Sequence, residues 1–319
     1  MSDSRQPKPS TPAPRRRCPV CQDPRREVVG KKEDLALLGC VACGMTYLDP
    51  SVSRLADDRY YDASGSSFYL NAGKLQSDYS PVRFERELRA FRRHVPSGRV
   101  LDVGCSTGGF LHQLNARFPG GYETWGTDVS TEPVSYAASR GINVWRGDFL
   151  RLQRTDLGCF RAITFWAVLE HLLEPKAFLE HAARLLEPDG VCFVLVPNHR
   201  SLAARWLGVR YRYVLLEHVN YFSETDLRRL CRDRFEIVEA SSTHFNPAVI
   251  WQDAKGRGRP VPREQRIALL QQTTALKQNR WLAPVRPLYR GLEAFLGRWF
   301  LADNLLFVLK PKRTAAIAA

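Results

Sequence analysis

A chain of 319 residues in which 44% of side chains are hydrophobic and 25% charged has a globular composition and can bury a sizeable core. Its formal net charge of +14 favours anionic partners such as nucleotides, phospholipid surfaces or RNA, and says nothing about fold. No run is long and apolar enough to span a bilayer, and the first residues lack the apolar core of a signal peptide; a cytoplasmic, reducing location is expected.

Residues 1–17 are rich in Pro, Ser and Arg and are expected to form a disordered basic tail. Two Cys-x-x-Cys knuckles follow, Cys18 with Cys21 and Cys40 with Cys43, separated by eighteen residues. That is the spacing of a structural zinc ribbon, placed here at residues 18–48. Paired disulfides are the rival reading and do not suit a reducing compartment. Four thiolates close the coordination sphere, so such an ion would hold the fold and not touch substrate. The other cysteines, Cys105, Cys159, Cys192 and Cys231, lie in or beside apolar runs and are expected to be packing residues.

Residues 49–98 begin with an aromatic, polar stretch containing Tyr60, Tyr61, Phe68, Tyr69 and Tyr79, and continue into a helix-like segment at 81–94. From residue 99 the chain reads Arg-Val-Leu-Asp-Val-Gly-Cys-Ser-Thr-Gly-Gly-Phe-Leu, a buried strand, a glycine-rich turn and the start of a helix. Gly104, Gly108 and Gly109 let the backbone approach a ligand closely. Ser106 stands where a dinucleotide-binding turn needs glycine, and Asp102 lies inside the strand; a nicotinamide or phosphate loop is disfavoured. Asp128 closes the next strand, and Asp148 with Phe149 closes the third.

This ordered set resembles the class I S-adenosylmethionine-dependent methyltransferases. The resemblance implies an α/β, doubly wound, Rossmann-like sheet of seven strands over residues 99–319, beside the small N-terminal ribbon, with 49–98 as a lid. It also implies donor contacts at Asp102, Gly104, Ser106 and Gly108, ribose contacts at Asp128, an adenine contact at Asp148, and Phe149 packed on the adenine ring.

The fourth strand begins at Phe160 and runs into Val168-Leu169-Glu170-His171, intact against the family pattern, whereas Arg161 replaces its usual acid. His171 and Glu170 could orient the acceptor or cap the next helix. A helix at 174–187, closed by residues 187–190, precedes the fifth strand at 191–196. Residues 198–213 interleave Arg200, Arg205, Arg210 and Arg212 with Trp206, Tyr211 and Tyr213, either a phosphate or base clamp or a solvated cap. Glu217-His218-Val-Asn-Tyr-Phe222 then leads into a helix capped by Ser223 with Asp226.

The Glu-His segment is similar to that of sugar C-methyltransferases, which also carry an N-terminal module with two Cys-x-x-Cys knuckles. By that resemblance His218 is the base and Glu217 its orienting group, with His171 the rival base; Leu215 departs from the family's tyrosine. The sixth and seventh strands fall at 235–241 and 304–310, around a helical insertion at about 244–302. Within it, Val285, Leu288, Tyr289, Leu292, Phe295, Leu296 and Trp299 make a helical stripe flanked by arginines. Such a stripe packs on its own domain or a second subunit, with an anionic membrane as the rival partner of 285–300.

The expected function is methyl transfer from S-adenosylmethionine to a small molecule, with structural Zn2+ in the ribbon. Nucleotide-linked sugars, lipid-linked sugars and secondary metabolites are the candidate acceptors. An RNA base methyltransferase and a non-catalytic interaction protein are the alternatives; oligomeric state is not legible.

Overall fold

The computed structural model describes residues 15–32, 35–49, 67–215, 217–256, 262–279, 284 and 286–312. Most of the expected tail, as well as Tyr60, Tyr61 and residue 285, lies outside them. Strands β1 (Arg26–Lys32), β2 (Leu35–Cys40) and β3 (Thr46–Leu48) form an antiparallel ribbon. Helices α1 (Ala72–Asp78) and α2 (Glu85–His94) follow. Next come β4 (Gly98–Val103), α3 (Gly109–Arg117), β5 (Tyr122–Asp128), α4 (Thr131–Ser139) and β6 (Asn143–Arg146). After them run β7 (Phe160–Trp166), α5 (Pro175–Leu185), β8 (Leu186–Pro197) and α6 (Leu202–Leu207). The chain continues through β9 (Asn220–Tyr221), α7 (Glu224–Cys231) and β10 (Phe235–Thr243). Helices α8 (Pro247–Lys255), α9 (Arg263–Gln278) and α10 (Arg286–Arg298) then lead to β11 (Asn304–Pro311).

The main sheet has the order β6-β5-β4-β7-β8-β11-β10, parallel except for β11, which runs antiparallel to both neighbours. Val100, Leu101, Ala162, Ile163, Val191 and Phe193 are buried on both sheet faces, as central parallel strands require. Strand order reverses between β4 and β7, so the crevice at their carboxyl ends is where this architecture receives ligands. The expected seven-stranded sheet is therefore present. Residues 187–190, expected to close a helix, belong instead to β8, whose register against β7 shifts between Phe160 and Ala162 to absorb them.

The ribbon is fused to this sheet in a way the sequence did not reveal. Strand β9 joins it as a fourth strand, pairing Tyr47 with Asn220 and Thr46 with Tyr221. Its buried Cys18, Met45 and Tyr47 share one hydrophobic core with Phe222, Leu227 and the β7–β8 side chains. Arg16, expected inside the tail, is part of this junction, and its guanidinium donates to the carbonyls of Leu48, Val219, Leu172 and Leu173 and to Asn220 Oδ1.

The insertion covers two places. Helix α9 lies on α1, where a Cβ on Gly73 would come within 3.0 Å of both Ile267 and Gln271. Helix α10 turns Glu293, Leu296 and Gly297 toward β10, and Gly297 approaches Ser242 O so closely that a Cβ would sit 2.5 Å from it. The rest of its stripe faces outward: Leu288 is 79% exposed, Phe295 59% and Trp299 62%. Packing of the stripe on its own domain, the first expectation, is met by Leu296 and by the Tyr289 hydroxyl on Phe245 O, and not by these outward residues.

Candidate active site

The turn after β4 is folded around one carbonyl and one carboxylate. Gly104 N and Cys105 N both donate to Thr127 O, at 2.7 and 3.1 Å, and Gly108 N donates to Cys105 O at 2.9 Å. Gly104 (φ +70°) and Gly108 (φ +77°) occupy the left-handed region, and a Cβ would lie 2.7 Å from Val168 Cγ2 and 2.3 Å from Ile142 Cδ1 respectively. Ser106 shares that conformation (φ 51°), and its amide donates to Asp128 Oδ2 at 2.9 Å. The other Asp128 oxygen accepts from Ser130 N at 2.9 Å, so this carboxylate ties the turn to the start of α4. Asp102 is buried and accepts from Thr164 Oγ1 at 2.6 Å. Burial raises its carboxyl to about 7, with the Asp128 charge adding and the Thr164 bond opposing.

Several features fit a ligand over this turn: the glycine cradle, the buried Ser106 hydroxyl with no partner among the described residues, and the protonatable Asp102. Asp148 caps the short turn Phe149–Arg151 through Leu150 N at 3.0 Å. Phe149 is buried at the start of that turn. Its ring is 2% exposed and packs on Phe165 (5.8 Å), Phe178 (5.6 Å) and His181 (4.9 Å), because residue 149 starts a helical turn that points inward.

The segment before β4 closes over the turn. Tyr79 donates its hydroxyl to Thr107 O, and its ring lies 4.7 Å from His112 and 5.8 Å from Tyr136. Burial, then the charges of Asp128, Glu217, Asp78 and Glu170, push the Tyr69 phenol above its ordinary range.

The second half lies beyond β7. Ala167 (φ 59°) holds a left-handed turn, costing about 1 kcal/mol, and delivers the helical turn Leu169–His171. His171 Nδ1 bonds Glu217 O at 2.8 Å, and His218 Nδ1 bonds Tyr213 O at 2.9 Å. A carbonyl only accepts, so both Nδ1 atoms carry the proton and both Nε2 atoms carry the lone pair. The two rings are 4.8 Å apart at 80°, and His171 Nε2 lies 4.0 Å from Glu170 Oε1. Glu170, His171 and His218 each offer a ligand atom, and these atoms all lie within 4.8 Å of one another. Glu170 is 1% exposed, its Oε2 has no hydrogen-bond partner among the described residues, and burial raises its carboxyl to about 8. Burial holds both imidazoles below their ordinary range, and His171 and Arg266 lower His218 further.

The structure thus brings His171 and His218 together with Glu170. Glu217 acts on His171 through its carbonyl and through the charge of its carboxylate, and Tyr213 O orients His218. The signal for Glu170 was present in the Val-Leu-Glu-His stretch, whereas the carbonyl partners leave no mark in a sequence. The loop is fixed to that stretch by Val219 N on Glu170 O (2.8 Å) and Asn220 Nδ2 on the carbonyls of Leu169 (2.8 Å) and Leu172 (2.7 Å). In the basic segment, Arg212 is spent on buried Asp253, at 2.6 Å.

At the ribbon, Cys18 Sγ is 3.5 Å from Cys43 Sγ and Cys21 Sγ 3.4 Å from Cys40 Sγ, and all four sulfurs lie within 4.8 Å of one another. Zn–S bonds of ~2.3 Å in a tetrahedron separate sulfurs by about 3.8 Å, so the set fits one ion.

A methyltransferase-domain family matches residues 77–240, about half of the chain. The chain belongs to that family, and with this sheet and turn it is an S-adenosylmethionine-dependent methyltransferase. It is similar to an uncharacterized protein of Methanocaldococcus jannaschii, with 26% identity over 53% of this chain and 79% of that one. It is also similar to the ubiquinone biosynthesis O-methyltransferase of Xanthomonas oryzae pv. oryzae, with 31% identity over 49% of this chain. The match spans 64% of that relative's length. Among solved structures, a chain from the complex of the Haloferax volcanii Trm112 methyltransferase activator with a methyltransferase shares the fold. It superposes with a TM-score of 0.51 and 17% identity, over 81% of this chain and 98% of that one. No helix among the described residues is long and apolar enough to cross a membrane.

Proposed function

We propose that the chain methylates a small, lipid-linked acceptor at a hydroxyl or at an acidic carbon beside a carbonyl. The observation that carries this reading is the closed cluster of Glu170, His171 and His218 at the carboxyl end of β7, next to the glycine turn. Asp102, Gly104, Ser106, Gly108, Asp128 and Asp148 would hold the donor. When bound, S-adenosylmethionine supplies an electrophilic methyl group on a sulfonium. The protein's part is alignment, exclusion of water and acceptance of the acceptor's proton, and the Nε2 lone pairs of His218 and His171 face the place where that proton is lost. Glu217 and Tyr213 hold the two imidazoles in the required tautomer through their carbonyls.

Two further observations support the acceptor class. One of the two relatives named above is an O-methyltransferase of ubiquinone biosynthesis, and α10 exposes an apolar stripe beside Arg290 and Arg298, suited to an anionic lipid surface. A sugar on a lipid carrier keeps the resemblance at Glu217 to Phe222. The four ribbon cysteines would hold a structural Zn2+. The test is methyl transfer from labelled donor into lipid, nucleotide-sugar and RNA fractions. Label in lipid supports the reading; label confined to RNA overturns it.

A further inference from the structure

We infer that Glu170, His171 and His218 together form a binding site for a divalent transition-metal ion, distinct from the four-cysteine ribbon. The inference rests on the proposed acceptor site and deepens it: with an ion bound, the two Nε2 atoms are its ligands, and the metal-held hydroxyl loses its proton in place of direct transfer to an imidazole. Three observations carry it. First, one carboxylate and two imidazoles present ligand atoms within 4.8 Å of one another. Second, both imidazoles are locked by Nδ1–H bonds to backbone carbonyls, at 2.8 and 2.9 Å, which leaves Nε2 as the ligand atom. That is the outer-shell arrangement of metal-ligating histidines, fixing tautomer and ring direction. Third, Glu170 Oε2 is buried with no hydrogen-bond partner among the described residues.

The donor set names the ion. Two imidazoles and one carboxylate with open positions suit Mn2+, Fe2+, Co2+ or Zn2+, whereas Mg2+ asks for oxygen donors. Bonds of ~2.1 Å place such ligands about 3.0–3.5 Å apart, so side-chain rotations of roughly 1 Å would close the site. Arg266 is the charged neighbour that opposes a cation at His218. The ion would hold the acceptor hydroxyl and lower its pKa. The hydroxyl proton then passes to solvent, the oxygen's electron pair forms the bond to the methyl carbon, and the carbon–sulfur pair stays on sulfur. No redox change is involved.

The experiment is a Co2+ titration of the full chain with its ribbon metal retained, followed by visible absorption. Thiolate ligation gives intense charge-transfer bands; the inferred site gives ligand-field bands without them. One equivalent of the second kind, weakened at least tenfold in both Glu170→Gln and His218→Ala, is expected. Donor binding measured on both variants shows that they are folded. No such equivalent, or equal affinity in both folded variants, overturns the inference. Methyl transfer is read separately: a protein that transfers methyl groups and binds no Co2+ loses this site and keeps the proposed function, and one that binds Co2+ without transfer does the reverse.

Discussion

Asp102 shows how one buried side chain can set the pH behaviour of donor binding. Its carboxyl sits at about 7 in the ligand-free site, raised chiefly by burial, and only its ionised form pairs with a cationic amino group. Below neutrality, binding must therefore expel a proton, and donor affinity is expected to rise on the order of tenfold from pH 5.5 to 7. Calorimetry in buffers of different ionisation heat measures the released proton. Asp102→Asn, which imitates the protonated form and keeps an acceptor for Thr164, should abolish both the slope and the proton. The linked stability effect has the opposite sense: a carboxyl raised from 3.8 toward 7 on folding contributes less as pH rises through that window, because the folded state binds the extra proton. Gly108 is tested more simply. Gly108→Ala forces a left-handed alanine against Ile142 and should cost about 1–2 kcal/mol, seen as a lower Tm and weaker donor binding. Both residues stood out in the sequence by type, an acid inside the first strand of the main sheet and a glycine in the turn after it. The inward packing of Phe149 left no such mark, because the Asp148 cap turns the chain and the direction of a side chain after a turn is not written in residue identity.

Among elements, the junction of β3 with β9 matters most for the site. The ribbon strand pairs with the two residues that follow His218 and Val219, and Arg16 bonds the carbonyls on both sides of that junction. In the proposed reading the ribbon positions the loop that carries His218. Arg16→Ala is expected to lower kcat/KM for the acceptor by one to two orders of magnitude while donor affinity stays within twofold, since each charge-assisted bond contributes roughly 1.5–3 kcal/mol. Arg16→Lys should not rescue it, because a point ammonium cannot span the five acceptors that the guanidinium fork reaches. Equal loss of donor binding would contradict a positioning role. The Cys-x-x-Cys spacing announced the ribbon, and apolar runs announced the strands. The partnership between them was hidden, because a two-residue strand has no periodicity to read.

For the whole molecule, the open question is what the outer face of α10 meets. Leu288, Leu292, Phe295 and Trp299 lie on one line of the helix and are exposed, with Arg290 and Arg298 beside them. Sedimentation with vesicles containing anionic phospholipid should pull down the protein, weaken as salt rises, and fail for Phe295→Glu with Trp299→Glu. Binding that is indifferent to those changes would remove the membrane from the account. The amphipathic period was visible in sequence; which face packs was decided by Gly297 against Ser242 and by buried Glu293, details of fit that a hydropathy pattern does not carry.

The most direct test of the central claim uses labelled S-adenosylmethionine, the full chain and fractionated cell extract, with His218→Ala in parallel. The account predicts label in a lipid or small-molecule fraction, at least a hundredfold slower in the variant, with donor affinity unchanged. Label confined to RNA, or a folded His218→Ala protein that transfers at the parent rate, would contradict it.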